Sequence, residues 1–372
     1  RSTPCGTLFP YTTLSDLGGL PGQQLGLFED RPPKPLRLFK KLLPAWFRYL
    51  RGAQKRADII EAEGPHRRPV VVAFSTTDYF AARSLANRLG APLLFAFRSN
   101  IVTIHRRFGM LYKEARHFKG LQRFVQGYWK RFLEWRITHG SDRVVFQSDY
   151  DRDEVVGRNP ETAERSVVIP NSMRASWFPP ELAQVNRSTS CRRLLYLGSI
   201  GERKGIQYLM PAIRMLYRER SLEFSLDIIG FGGLEPWARE YTEREGLSDC
   251  VRFLGKDSAP LGRLAEADLL VVPSLYDSFP NTVLEALYVG TPVVGSDTSG
   301  VRAILKSEEL LFEPEDSLAI ADALEPIITD RDRYLRVREL CASRRDAFDF
   351  DWYGEFESVL YALVREYENR TS

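Results

Sequence analysis

The sequence predicts an α/β protein with two domains, each built around a parallel β-sheet of the Rossmann type. The chain has 372 residues, which is the length of about two domains. Short apolar runs typical of strands alternate with helical patterns along most of it, and this alternation favours parallel sheets. A polar, turn-rich segment, residues 179–193, separates a basic half from an acidic half and predicts the domain boundary.

Four apolar runs predict strands in the first half of the chain, with helical stretches such as residues 79–89 between them. In the second half, five runs alternate more regularly with helical patterns. We expect each set to form one parallel sheet. The runs are residues 70–74, 92–97, 143–148 and 166–171, followed by 192–198, 224–230, 251–255, 267–274 and 291–296.

These patterns divide the chain into four segments. We expect residues 1–15 to be a non-native or disordered tail, because they show no periodicity and PCGTLFPYTTLS resembles translated adapter sequence. Residues 16–182 form an N-terminal Rossmann-like domain, which we expect to be truncated, and residues 183–350 form a C-terminal one. The last segment, residues 351–372, is expected to be a helix that packs back on the N-terminal domain.

The composition is that of a soluble globular protein, with 44% apolar and 27% charged residues and no apolar run near the ~20 residues of a membrane span. Four scattered cysteines, without a CxxC pair or a histidine cluster, favour a reduced, cytoplasmic setting and argue against a zinc site. Residues 1–180 hold 29 Lys and Arg against 16 Asp and Glu, whereas residues 181–372 hold 23 against 33. This asymmetry predicts two domains with different partners.

The first candidate site is LGSIGERKG, residues 197–205, which follows a predicted strand and opens a helix. Gly198 and the glycines after it permit a close backbone approach. Arg203 and Lys204 place positive charge where the amides of a helix N-terminus also converge, and this combination suits a diphosphate. The alternative is an ordinary surface turn, because a glycine turn with a basic pair is common.

A second glycine turn, IIGFGG at residues 228–233, follows the next predicted strand. Gly230 and its neighbours permit a nucleotide to approach the backbone. The segment lacks the spacing of the full dinucleotide motif, so a tight structural turn is the alternative.

The third candidate is residues 277–297, DSFPNTVLEALYVGTPVVGSD. Pro280 fits the start of a helix and Gly290 its end, between two predicted strands. Asp277 lies in the loop before this helix and Glu285 lies within it, among apolar neighbours. A buried carboxylate is costly unless it is solvated, paired or used, and ligands bind at the carboxyl ends of such strands. The alternative is a helix-start aspartate with an incidental surface glutamate.

Together these segments resemble the retaining glycosyltransferases of family 4, which have the GT-B fold. The family's signature, an acidic residue, seven intervening residues and a glutamate within a segment like EGFPNVLLEAMACGTPVVAT, is closely matched by DSFPNTVLEALYVGTPVVGS. LYLGSIGERKG resembles its phosphate loop, and SDRVVFQSDYDRDEV and VVIPNS resemble the end of its N-terminal domain. The resemblance runs from Val70 to the C-terminus, and it implies two Rossmann-like domains that face each other across a cleft.

By this resemblance, Glu285 would bind the ribose of a nucleotide-diphosphate sugar and Asp277 would bind hydroxyls of the sugar. Lys204, supported by Arg203, would neutralise the leaving diphosphate. Such enzymes retain the anomeric configuration, work without a bound metal or cofactor, and transfer the sugar to a glycan or lipid-linked acceptor. The other donor-binding candidates are Gly198, Ser199, Gly230, Ser278, Phe279, Pro280, Asn281 and Thr282.

Several departures from the family's pattern bear on this site. Ser199 stands where the family often has Arg, so Arg203 would carry more of the charge. Asp277 is one methylene shorter than the more usual Glu. Many relatives carry a histidine or an Arg-Gly pair after the strand that is predicted second in this chain. Here Arg98 and Asn100 are the candidates for an acceptor-side or phosphate contact.

A basic, aromatic stretch from Arg106 to Gly140 holds nine Lys and Arg against two Glu. One interpretation is a surface that docks on anionic lipid, which would make the protein peripheral on the inner membrane face. The other is an ordinary amphipathic helix with its apolar side on the core. No nucleic-acid-binding motif accompanies the charge, so we do not expect nucleic acid as a partner.

Three functional hypotheses follow: a retaining glycosyltransferase, a nucleotide-sugar epimerase of the same fold, and a non-catalytic nucleotide-sugar-binding protein. An epimerase should carry its own acid/base set, which is not evident in the sequence. Ser199 and the missing histidine keep the third hypothesis open beside the first.

Overall fold

The computed structural model describes residues 69–76, 78–108, 119–174, 182, 188–257 and 259–371. The described residues form two α/β units. The first comprises the residues up to Gln147 together with 152–169 and 352–371, and the second comprises residues 148–151 and 170–351. The chain enters the second unit before the polar segment 179–193, most of which lies outside the described residues. The expected tail and residues 16–68 of the predicted N-terminal domain also lie outside them.

The sheet of the first unit has four parallel strands in the order β1-β2-β3-β4. Each strand therefore pairs with the next one along the chain, and each lies inside a run that the sequence predicts as a strand. The strands are β1 (Val71–Ala73), β2 (Leu93–Ala96), β3 (Arg143–Phe146) and β4 (Ser166–Val168). The helices of this half are α1 (Tyr79–Leu89), α2 (Ile101–Phe108), α3 (Lys119–Gly140) and α4 (Asp149–Arg158).

The second unit is built on six parallel strands in the order β10-β9-β8-β5-β6-β7. Five of them lie in predicted runs, and the two-residue β10 is too short for a sequence pattern to reveal. The strands are β5 (Arg193–Leu197), β6 (Ser225–Ile229), β7 (Val251–Gly255), β8 (Leu269–Val272), β9 (Val293–Ser296) and β10 (Leu311–Phe312). The helices are α5 (Ile206–Arg214), α6 (Glu235–Arg244), α7 (Pro260–Glu266), α8 (Asn281–Val289), α9 (Ser299–Leu305), α10 (Ser317–Thr329) and α11 (Arg331–Arg345).

The strand order of the second sheet reverses between β5 and β8. From β5 the chain adds β6 and β7 on one side, and from β8 it adds β9 and β10 on the other. In open parallel sheets, such a reversal marks the place where a crevice forms at the carboxyl edge of the sheet, and this is where ligands bind.

The chain ends in a long helix, α12 (Trp352–Thr371), which belongs to the first unit. It covers one face of the first sheet through Phe356, Leu360 and Leu363, which pack with Leu94 and other buried residues of the strands. Stacking of Phe356 on Phe74, with ring centroids 6.0 Å apart, adds to this contact. Burial of these apolar side chains is what holds the last helix to a sheet that lies far from it in sequence.

None of the helices in the described ranges has the length and apolar character needed to cross a membrane. Three cysteines, Cys191, Cys250 and Cys341, are buried and form no disulfide. The fourth, Cys5, lies outside the described residues. The buried thiols behave as small apolar side chains of the second core.

Candidate active site

The loop after β5 is shaped by a glycine that no other residue can replace. A short 3-10 turn, Glu202–Lys204, ends at Gly205, which has φ of 72° and begins α5. A Cβ atom at Gly205 would stand 1.7 Å from the carbonyl oxygen of Pro273. The loop after β5 therefore lies directly on the start of the loop after β8.

These two loops are joined by hydrogen bonds and an ion pair. The amide of Leu275 donates to the carbonyl oxygen of Arg203 at 2.9 Å, and the Arg203 guanidinium donates to the carbonyl oxygen of Tyr276 at 3.2 Å. The ammonium of Lys204 forms a hydrogen-bonded ion pair with the carboxylate of Asp277. Two residues predicted from separate motifs thus meet at the point where the strand order reverses.

The Lys204–Asp277 pair is largely withdrawn from water, with side chains 17% and 16% exposed. Removing one member of such a pair leaves the other as a poorly solvated charge, which costs more than breaking an exposed pair. A ligand that separates the pair must therefore offer an anionic group to Lys204 and hydrogen-bond donors to Asp277. Arg203 is exposed, which leaves its charge accessible from the crevice.

The glycine turn after β6 also lies against the loop after β5. The amide of Gly198 donates to the carbonyl oxygen of Ile229 at 3.0 Å, and a Cβ atom at Gly230 would stand 1.8 Å from the Gly198 carbonyl oxygen. This close approach requires a glycine at position 230 for packing, whether or not a nucleotide binds there. Ser199 is exposed, and its carbonyl oxygen accepts a 2.8 Å hydrogen bond from the Tyr196 hydroxyl.

The loop after β8 leads into α8, whose first residue is Asn281 and whose cap position is Pro280. Pro280 provides no side-chain hydrogen bond to the helix, so the first amides of α8 suit an anion. Ser278 is buried and shares a 2.9 Å hydrogen bond with the Tyr276 hydroxyl. Phe279 is also buried, with its ring edge-on to Phe348 at 5.7 Å.

The predicted end of this helix is confirmed, since Gly290 closes α8 in the left-handed conformation with φ of 77°. Thr282 is half-buried in the first turn. The strand, loop, helix and strand predicted around Glu285 are therefore present as β8, α8 and β9.

Glu285 lies in the second turn of α8, where burial dominates its chemistry. Its neighbours Val283, Leu284, Ala286 and Leu287 are at most 2% exposed. Burial raises the pKa of Glu285 from 4.5 to about 7, and among the described residues no basic side chain pairs with it. Near neutral pH this carboxyl group therefore exists in both forms, and a ligand that hydrogen-bonds the carboxylate shifts it to the charged form.

Asn171 belongs to the site although sequence reasoning did not place it there. Its side-chain amide is buried and donates to the carbonyl oxygen of Phe279 at 3.3 Å and to Oδ1 of Asn281 at 2.7 Å. It thereby fixes both the last turn of the loop and the first residue of α8. The available signal was a polar residue at the end of a predicted strand, in the segment VVIPNS.

For the nucleotide sugar that the sequence resemblance implies as ligand, we predict that Asn171→Asp weakens binding by about tenfold, the effect of losing one or two net hydrogen bonds. The substitution keeps the shape of the side chain but turns an oxygen toward two acceptors, which pushes the loop and the helix apart. Calorimetric titration of the donor measures the loss. Asn87→Asp, an exposed change in α1, is the matched control. If Asn171 positions the loop, KM for the donor rises by a larger factor than kcat falls. If the variant only unfolds at a lower temperature and contains less active protein, with KM unchanged, the positioning role is contradicted.

The first unit contains the two candidates for the acceptor side. Arg98 is exposed at the end of β2. Asn100 is buried, accepts hydrogen bonds from the Thr103 amide and from Arg158 at 3.1 Å, and donates to Glu154 at 2.7 Å. Its side chain is therefore used in capping α2 and in the packing of this unit, which leaves Arg98 as the candidate for an acceptor-side or phosphate contact.

Within the described ranges, no group of three or more His, Cys, Asp and Glu side chains is arranged to hold a metal ion. Positive charge at the crevice comes from Lys204, from Arg203 and from the first amides of α8. These groups match a ligand that carries negative charge at one end and hydroxyl groups at the other.

The two parallel-sheet units and their likeness to solved structures define the chain as a GT-B protein. Sucrose-phosphate synthase from Thermosynechococcus elongatus has a TM-score of 0.64 at 21% identity, covering 90% of this chain and 80% of its own. HepE from Anabaena, solved in complex with UDP and glucose, has a TM-score of 0.63 at 15% identity, covering 84% and 80%. The two parallel-sheet α/β domains that the sequence resemblance implied are confirmed.

Residues 191–330 match the family model of Glycosyl transferases group 1. Phosphatidyl-myo-inositol mannosyltransferase of Mycobacterium leprae is 31% identical over 211 residues, which are 55% of this chain and 53% of the relative. D-inositol 3-phosphate glycosyltransferase of Paenarthrobacter aurescens is 29% identical over 227 residues, 58% and 56% of the two chains. The chain spans about half the length of these curated relatives.

Proposed function

We propose that the protein is a retaining glycosyltransferase that moves a sugar from a nucleotide-diphosphate sugar to a glycan or lipid-linked acceptor. The observation that carries this proposal is the Lys204–Asp277 pair, which lies at the reversal of strand order in the group 1 domain. It combines a cation for a diphosphate with a carboxylate for sugar hydroxyls. The names of two relatives, a phosphatidyl-myo-inositol mannosyltransferase and an inositol 3-phosphate glycosyltransferase, support sugar transfer, and the first supports a lipid-linked acceptor.

In the proposed reaction, the bond between the anomeric carbon and the β-phosphate oxygen breaks, and its electron pair stays on that oxygen. Lys204, with Arg203 and the first amides of α8, stabilises the charge that develops there. Asp277 orients the sugar through its hydroxyls, and Glu285 accepts hydrogen bonds from the ribose. The acceptor oxygen bonds to the anomeric carbon on the same face, and its proton passes to the departing phosphate.

We further propose that the reaction needs no metal and takes place on the cytoplasmic side. The first part rests on Lys204, Arg203 and the helix amides, which supply the positive charge that a divalent ion supplies in other phosphate sites. The second part rests on the scattered cysteines of the sequence, which form no CxxC pair and no disulfide framework. Arg98 is the proposed contact for the acceptor or the phosphate.

A thermal-shift screen of UDP-, GDP- and ADP-sugars tests the donor class. At a donor concentration of 100 Kd, the free energy of unfolding is expected to rise by about 2.7 kcal/mol. The same mixtures are then assayed for sugar transfer and donor hydrolysis, with and without a chelator. If none of the donors raises the unfolding temperature, the proposal is contradicted. Binding without turnover favours the non-catalytic alternative, and an interconverted donor sugar favours the epimerase.

A further inference from the structure

Helix α3 of the first unit has an outer face that is unusually apolar for a surface helix. Its described side chains begin at Val125, and the exposed ones include large rings. Only Leu133, Glu134, Ile137 and Thr138 are buried in this part of the helix. The exposed apolar side chains are Val125 at 58%, Tyr128 at 65%, Trp129 at 53%, Phe132 at 45% and Trp135 at 44%. Leu133 and Ile137 place one apolar side of α3 on the core, as in an ordinary amphipathic helix, but the side that faces water is apolar as well.

The exposed rings form one continuous stripe. Trp129, Phe132 and Trp135 follow each other at intervals of three positions, and Tyr128 lies beside Trp129, so these rings lie on the same side of the helix. Ring centroids are 5.6 Å apart for Trp129 and Phe132, 6.1 Å for Phe132 and Trp135, and 4.6 Å for Trp135 and His139. A contiguous exposed apolar patch of this kind marks a surface that binds another protein, a membrane or a ligand.

The stripe is flanked by positive charge, because the one described acid of α3 points inward. Glu134 is 1% exposed, and both its oxygens accept hydrogen bonds of 2.8 Å from Arg158. Its charge is thus neutralised inside the unit. Arg131 and Arg136 are exposed, and the Arg136 guanidinium lies 5.9 Å from the centre of the Trp135 ring. The outer side of α3 is therefore both aromatic and cationic.

We propose that this outer face of α3 docks on the surface of an anionic lipid bilayer, with the helix lying in the plane of the interface. Trp and Tyr rings prefer the depth of the lipid headgroups, and Arg side chains attract anionic lipids. At 22 residues the helix is about 33 Å long, which gives a long line of contact. The proposal concerns the first unit and holds whether or not the second unit transfers a sugar.

The positive charge on the outer face of α3 favours an anionic lipid surface over a second copy of the chain as its partner. A two-fold pairing of this face would bring two surfaces of the same positive charge together, with Arg131 and Arg136 on each side, and like charges repel. The stretch from Arg106 to Gly140, with nine Lys and Arg against two Glu, makes that repulsion general. An anionic bilayer satisfies both features of the face at once.

The test is co-sedimentation of the full chain with vesicles of equal parts phosphatidylcholine and phosphatidylglycerol, and with phosphatidylcholine alone. We expect binding to the anionic vesicles at low salt, loss of binding as salt is raised, and a blue shift of tryptophan emission. Replacing Trp129 and Trp135 together by alanine is expected to lower the partition coefficient at least about tenfold. Tyr361→Ala, which removes a 60% exposed ring from α12 of the same unit, is the matched control and should bind normally.

Other outcomes overturn the proposal. Equal binding by the double variant and the control removes α3 from the contact, and equal binding to both vesicle types removes the role of charge. A dimer of the full chain that the double variant converts to monomer assigns the face to a second copy. Binding of an oligonucleotide that competes fully with anionic vesicles and depends on the same two tryptophans assigns it to nucleic acid. Circular dichroism of the double variant shows whether it has kept its fold; if it has not, Arg131→Glu replaces it with the same expected loss.

Discussion

Replacing Lys204 by alanine is expected to lower kcat/KM for sugar transfer by about 10² to 10³, the effect of removing one well-placed charge from the transition state. The physical reason is that the diphosphate gains charge as the anomeric bond breaks, so Lys204 interacts more strongly with the transition state than with the bound donor. We therefore expect kcat to fall more than KM rises. Steady-state kinetics with a saturating acceptor measure both parameters.

The alanine variant also strands the carboxylate of Asp277, so the two effects must be separated. Adding Asp277→Asn removes the stranded charge and should restore stability without restoring activity. Lys204→Arg keeps the charge on a differently shaped group and should fall between wild type and alanine. Arg331→Ala removes an exposed cation at the start of α11 and should leave the kinetics unchanged. Wild-type kcat/KM in the Lys204→Ala variant removes this residue from the mechanism.

Replacing Glu285 by glutamine is expected to weaken donor binding and to stabilise the protein without ligand. The carboxylate accepts two ribose hydroxyls in the proposed complex, whereas the amide offers one acceptor, so we expect a loss in kcat/KM of about 10². At pH 8 the unliganded wild type carries a charged, largely buried carboxylate, and the folded state bears a desolvation cost of about 1–3 kcal/mol, judged from the raised pKa. The glutamine variant lacks this cost and should unfold at a higher temperature.

The stability of the unliganded protein and its affinity for the donor should change with pH in opposite directions. The pKa of Glu285 is raised to about 7 in the folded state from 4.5, so the cost is present above pH 7 and disappears as the pH falls toward 4.5. Donor binding needs the carboxylate, so wild-type affinity for a nucleotide sugar should fall by about tenfold from pH 8 to pH 6. Glu285→Gln should show neither trend. Glu240→Gln, an exposed change in α6, is the control, and an unchanged pH slope in the Glu285 variant contradicts the assignment.

The second sheet could be predicted well because its strands are apolar runs bounded by turn residues. The runs around β5, β6, β7, β8 and β9 each locate a strand to within a few residues. Hydrophobic periodicity and residue propensity do not determine the order of strands in a sheet. The reversal between β5 and β8 therefore became visible only in the structure. The contact of Lys204 with Asp277 depends on that order, and the sequence supplied it only through the family resemblance.

Other parts of the site depend on contacts between distant segments, which local patterns do not contain. Asn171 and Asn281 are joined across 110 positions of the chain by a single hydrogen bond. Asn100 is an attractive polar candidate in the sequence, yet its amide is used internally because Arg158 and Glu154 come from a helix about 50 residues later. The outer stripe of α3 was visible as a mixture of aromatic and basic residues, but only burial shows which side faces water.

The ion pair between Lys204 and Asp277 has a consequence for selectivity in the cell. An isolated anion such as inorganic phosphate can attract Lys204 only by separating it from Asp277, whose poorly hydrated carboxylate then faces a second negative charge. A nucleotide sugar brings the anion and the hydroxyl groups in one molecule, so both halves of the pair exchange partners together. Under the proposed function, the resting pair would therefore favour a nucleotide sugar over free phosphate as the ligand of this site.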